Sequence, residues 1–109
     1  MKTSHTATID TGHAAVRVLV PGMLWSYTAG AKHVDLAIAS HSQQPEPVLA
    51  DVLAELDSRF PGLRFRIIDE RGKIRPHIKI FVDGELARDL AVSLPPSSEV
   101  MIVGALSGG

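Results

Sequence analysis

The residues whose chemistry stands out are the last two. VMIVGALSGG, residues 100–109, carries a strand-like apolar run into Gly108 and Gly109. Glycine lacks a Cβ, so such a pair can enter a channel too narrow for other residues and can adopt backbone conformations that they avoid. GALSGG has no charged side chain. Past Val103 it can therefore extend up to about 20 Å and present its own α-carboxylate. A carboxylate is a poor electrophile because its charge resists a nucleophile, and its simplest activation is as an acyl-adenylate. The chain has no G-x-x-x-x-G-K-[ST] loop and no G-x-G-x-x-G motif, so ATP would have to be handled by a partner. Function would then lie in being a substrate. The competing reading is a plain loose end. At an average glycine usage of about 7%, a terminal pair arises by chance in about 0.5% of chains. The apolar strand running directly into the pair favours the reactive reading.

Other residue types offer less. There is no cysteine, which removes disulfides, thiol nucleophiles, thiolate zinc sites and iron–sulfur clusters together. His5, His13, His33, His41 and His77 are scattered, with no pair at the spacing of a helical or loop metal site, so no metal ligand set is expected. His77, beside Pro76, reads as a polar group capping or packing locally. No Ser-His-Asp arrangement follows from spacing, and intrinsic catalysis is not expected. Six of the eleven basic residues fall between Arg64 and Lys79: Arg64, Arg66, Arg71, Lys73, Arg75 and Lys79. They could form a docking face for an acidic partner or an RNA surface. Alternation along a strand already explains where they point, and Asp69 and Glu70 dilute them, so a solvated sheet face is the preferred reading. Interleaved exposed aromatics of a base-stacking surface are missing. Trp25 and Tyr27 could be a recognition spot, but anchoring the first hairpin against the core accounts for them better.

The elements that must hold the tail follow from composition and pattern. At 109 residues the chain is one domain that buries roughly 65% of its unfolded surface. Eleven basic residues face twelve acidic ones, so no global field points to nucleic acid or to an anionic membrane. No run approaches the length of a membrane span or a signal peptide, which places the protein in the cytoplasm as an expectation. Residues 1–13 read as a flexible polar leader and residues 14–109 as the domain.

AAVRVLVPG alternates through Val16, Val18 and Val20 and stops at Pro21-Gly22; HVDLAIAS places Val34, Leu36 and Ile38 on one side, giving a hairpin partner. After the polar loop HSQQPEP, Val48, Leu49, Val52, Leu53, Leu56 and Phe60 form a helical stripe. Pro47 suits its first turn, Glu46 complements its dipole, and Pro61-Gly62 end it after about 13 residues, or about 20 Å. LRFRIID alternates as a short strand or extended segment and DERGK as a turn. IKIFVDGE is a stronger strand entering a tight Asp83-Gly84 turn, LPPSS a loop, and EVMIVGAL the last strand. One helix covering a mixed sheet of four or five strands makes an α+β two-layer domain. The β-grasp has that order, and a split ferredoxin-like arrangement lacking a helix is also compatible.

VMIVGALSGG resembles the end of the MoaD/ThiS sulfur-carrier proteins, β-grasp relatives of ubiquitin whose last strand runs into a diglycine. The resemblance covers about nine-tenths of the chain from Val16 onward, through PGMLWSYTAGAKHV, VLADVLAELDSRFPGLRFRIIDERG, IRPHIKIFVDGE and EVMIVGALSGG. YTAG and IRPHIKIFVDGE look most like the carrier branch of cysteine biosynthesis. The resemblance implies that an E1-like adenylyltransferase/sulfurtransferase uses ATP to adenylate the Gly109 carboxylate. A sulfur donor then displaces AMP, and the resulting thiocarboxylate serves a sulfur-accepting synthase. Gly108 and Gly109 match the diglycine; Ala105, Leu106 and Ser107 match the tail that docks in the partner's channel. No cofactor is implied within the chain, and a free monomer is expected, one that could stand as the small subunit of a synthase such as molybdopterin synthase. Two departures fall in loops: Leu94-Pro95-Pro96-Ser97-Ser98 replaces an Asp-Gly turn before the last strand, and Asp83 stands where Asn is common. Two alternatives remain open, a ubiquitin-like modifier conjugated through Gly109 and a noncovalent interaction domain.

Overall fold

The computed structural model describes residues 13–39 and 46–104. The proposed leader, most of the HSQQPEP loop and the tail residues Ala105, Leu106, Ser107, Gly108 and Gly109 lie outside them.

Two period-2 segments form the first hairpin. β1 (His13–Leu19) pairs antiparallel with β2 (His33–Ala39), Val18 opposite Val34 and Val16 opposite Leu36, so that every buried side chain of both strands faces the same layer. Their connection is a 3-10 helix (Gly22–Tyr27) instead of a tight turn. Trp25 fastens it, its Nε1 donating to the Val20 carbonyl at 2.8 Å, while buried Thr28 donates through Oγ1 to the Ala31 carbonyl at 2.8 Å. Trp25 and Tyr27 pack against the core as anchors of this hairpin.

α1 (Leu49–Arg59) presents Leu49, Val52, Leu53 and Leu56 to the sheet, all fully buried. Pro47 stands just outside the helix, because Val48 is extended and bridges Ser93. The first-turn donors are satisfied by the returning chain: Leu49 N–H donates to the Val92 carbonyl and Ala50 N–H to that of Leu90, at 2.9 and 3.0 Å. Asp51 Oδ2 accepts from the Val48 N–H at 2.9 Å.

LRFRIID is not a strand. Leu63–Ile67 is a short helix, α2, in which Leu63 and Ile67 are one turn apart and buried, with Ile68 following them inward. Gly62, at φ 94°, reverses the chain, and Asp57 Oδ1 accepts from the Gly62 and Arg64 N–H groups at 3.0 and 3.2 Å. All three apolar positions at i, i+2 and i+4 suit a strand, whereas a helix gathers only Leu63 and Ile67, and this turn selects the helix. The central member of the set, Phe65, is thereby left 56% exposed.

β3 (Ile78–Val82) turns at Asp83-Gly84, both at positive φ, into the short β4 (Glu85–Ala87), and β5 (Ser98–Gly104) completes the sheet. The order is β2-β1-β5-β3-β4, with β5 parallel to β1 and antiparallel to β3. This mixed five-stranded sheet with α1 across one face is a β-grasp, α+β fold. No helix among the described residues is long and apolar enough to cross a membrane.

Candidate functional site

β5 lies at the centre of the sheet, paired with β1 as far as Met101, opposite Leu19, and with β3 to its end, where Lys79 stands opposite Val103 and Ile78 opposite Gly104. The chain therefore leaves a paired strand five residues before Gly109. The 3-10 helix sits at the same end of the sheet. Met23, on that helix, lies so close over Gly104 that a Cβ there would overlap its sulfur.

The sheet face opposite α1 bears the alternate side chains of every strand. Across it, the register aligns Leu19 of β1, Met101 of β5, Phe81 of β3 and Leu86 of β4 in one lateral row. Met101 is 38% exposed and Leu86 42%, and Val103, two residues nearer the tail, is 39% exposed. These three are most of the exposed large apolar side chains among the described residues; the others, Met23 and Phe65, stand near the same exit. In the next row away from the tail, Arg17 Nε donates to Asp35 Oδ1 at 2.9 Å. That hydrogen bond, more than any other influence, holds the Asp35 carboxyl below its ordinary range and raises Arg17. The face thus carries an apolar row with the Arg17–Asp35 pair on one side of it and, nearer the tail, Lys79 opposite Val103.

Beside the exit lies a groove of about 450 Å³ between the 3-10 helix, α2 and the segment entering β3, lined among others by Met23, Tyr27, Phe65, Arg66, Arg75 and His77. Arg75 Nε donates to the Phe65 carbonyl at 2.8 Å, and its guanidinium stacks 4.6 Å from the Phe65 ring centroid. Arg66 lies 5.3 Å from the Tyr27 centroid and donates through Nε to the Tyr27 hydroxyl. The expectation that the 64–79 basic residues decorate a sheet face needs correction. Arg64 and Arg66 are on α2, Arg71 and Lys73 in the following turn and Arg75 ahead of β3, leaving only Lys79 on the sheet. Asp69 Oδ1 shapes that turn by accepting from the Arg71 and Lys73 N–H groups at 2.9 and 3.0 Å. His77, expected to cap or pack locally, lines the groove.

No group of three or more His, Asp or Glu side chains that could hold a metal occurs among the described residues. The five predicted tail residues lie outside the description, so what is visible is the platform from which they leave. Sequence reasoning missed the groove. The signal was an aromatic residue between two arginines, one residue past Pro61-Gly62, and the short helix leaves all three exposed.

No family model and no curated protein matches the chain. Solved structures do. CysO of Mycobacterium tuberculosis, described as an antigen, is 28% identical with a TM-score of 0.70, over 84% of this chain and 99% of that one. Small archaeal modifier protein 1 (SAMP1) of Methanosarcina acetivorans is 26% identical with a TM-score of 0.67, over 89% and 98%. The BexX/CysO complex of Amycolatopsis orientalis contains a chain 24% identical with a TM-score of 0.72, over 86% and 99%.

Proposed function

We propose that this chain, whose fold is that of the ubiquitin-like sulfur carriers represented by CysO, is itself a sulfur carrier that works through Gly109. The observation that carries the reading is the end of β5. A central strand, paired with β1 as far as Met101 and with β3 as far as Gly104, ends five residues short of Gly109 beside an exposed apolar strip. In this reading an E1-like partner joins the Gly109 carboxylate to AMP, releasing pyrophosphate from ATP. A sulfur donor then attacks the acyl carbon and expels AMP, leaving a C-terminal thiocarboxylate. A second enzyme takes that sulfur into a cofactor or an amino acid, and Ala105, Leu106 and Ser107 occupy the channel of each enzyme in turn. The carrier supplies shape and a carboxylate, and its partners supply ATP chemistry. The Amycolatopsis relative is solved with BexX, and a protein complex of that kind is the setting proposed here.

The test is the intact mass of protein from its own host after treatment with a thiol-reactive alkylating reagent. Sulfur for oxygen adds about 16 Da, nominally the same as oxidation of Met1, Met23 or Met101, so the alkyl group is what discriminates. With no cysteine in the chain, a single adduct mapped to Gly109 establishes the carrier. Its absence when an adenylating enzyme, ATP and a sulfur donor are supplied overturns the reading. The likeness to SAMP1, described as a modifier, favours a second reading in which Gly109 forms an isopeptide bond to lysine. Glycine-glycine remnants on lysines of other proteins would establish it, whereas a purely noncovalent domain would be indifferent to loss of Gly108 and Gly109.

A further inference from the structure

We infer that the groove between the 3-10 helix and α2 is a docking site for an acidic, apolar-tipped surface of the adenylating enzyme, at the mouth of the channel that takes the tail. The inference rests on the carrier reading. Three observations converge on it. The first is position: Met23 both lines the groove and lies on Gly104, and His77 lines it one residue before Ile78, the partner of Gly104. An enzyme that holds Gly109 must approach this end of the domain.

The second is composition. Met, Tyr, Phe and Arg are the residue types that concentrate binding energy at protein interfaces, and here they are held in place before any partner arrives. Arg75 is fixed by the Phe65 carbonyl and ring, and Arg66 by Tyr27. Phe65 is kept 56% exposed by a helix whose other apolar residues are buried, so its exposure is built into the fold. Little side-chain entropy remains to be lost on binding.

The third is charge. Residues 64–79 carry six basic side chains and two acidic ones in a chain of net charge −1; Arg66 and Arg75 line the groove itself, and Lys79 stands on the sheet. Of the two acidic residues, Asp69 is engaged by backbone donors, and Glu70 alone brings a carboxylate to the groove wall. An acidic surface complements this border, and an apolar side chain on it fills the space over Met23 and Phe65. RNA fits less well, because guanidinium groups already cover a face of both Tyr27 and Phe65 where bases would stack.

The experiment measures carrier-dependent ATP–pyrophosphate exchange by the adenylating enzyme of the producing organism, with the full chain and its Arg66→Glu, Phe65→Ala and Arg88→Glu variants. Thermal melts of each confirm folding. The expected result is a KM for the carrier raised about tenfold in Arg66→Glu and Phe65→Ala. Arg88→Glu, after β4 and outside the groove, is expected to match wild type, and the wild-type KM is expected to climb with NaCl. Should Phe65→Ala unfold, Arg66→Glu and the salt series decide. An unchanged KM with wild type fully active overturns the docking site and leaves the carrier reading intact. No exchange with wild type overturns both. Self-association or oligouridine binding that Arg66→Glu abolishes, with the KM unmoved, assigns the groove to a second copy or to RNA and overturns the inference.

Discussion

Met23 lies over Gly104 so closely that the strand end and the 3-10 helix share one contact, which only a residue without a Cβ permits. Gly104→Ala must push the Met23 side chain aside, and the expected cost is about 1 kcal/mol of stability. In a Met23→Ala background the same substitution is expected to be neutral or stabilising, since alanine then restricts only the unfolded chain. Denaturant midpoints of the four proteins check this. Equal costs in both backgrounds would show that the two residues are not coupled.

Under the carrier reading, the outer sheet strip would meet a partner, and its exposed side chains leave the core unsupported by it. Met101→Glu is expected to leave the melting temperature close to wild type, because the side chain is exposed. It is also expected to raise the KM for activation of Gly109 about tenfold, by putting a charge into a face that becomes dry on docking. An unaffected KM would remove the strip from the docking surface.

Asp57 ties the end of α1 to the start of α2 through the Gly62 and Arg64 N–H groups. Asp57→Ala is expected to cost about 1 kcal/mol, the worth of a helix cap. Amide hydrogen exchange is expected to rise across residues 62–67 before it rises in β5. Uniform loss of protection would mean that α2 does not open separately.

Two carboxyls, Asp35 and Asp69, titrate below the ordinary value of about 3.9. For Asp35 the leading cause is the Arg17 side chain, and for Asp69 it is the Lys73 N–H. A lowered folded pKa means stability that is fully present above the unfolded pKa and is lost as pH falls through the folded one. Melting temperatures are therefore expected to be flat from pH 7 to about 5 with respect to these groups and to fall below about 4. The Asp35→Asn/Asp69→Asn variant is expected to melt lower at pH 7 and to show a shallower fall below pH 4. Parallel pH profiles would contradict the assignment.

Much of this protein was legible from local pattern. Val16 and Val18, Val34 to Ile38, and the stripe from Leu49 to Leu56 carry periods long enough to name their elements, and Asp83-Gly84 could only be a tight turn. Because only backbone chemistry is needed, the diglycine proposal also comes from sequence. What the tertiary structure decided is nonlocal. Leu63, Phe65 and Ile67 alternate as a strand would, and the helix was chosen by a glycine at positive φ and by the Asp57 carboxylate reaching across from α1. That choice sent Phe65 and Arg66 outward and made the groove. The lateral row of Leu19, Met101, Phe81 and Leu86 likewise exists only because strands far apart in sequence pair in the order β2-β1-β5-β3-β4. Alternation states which side chains share a face of one strand, but pairing and register state which residues become neighbours across the sheet.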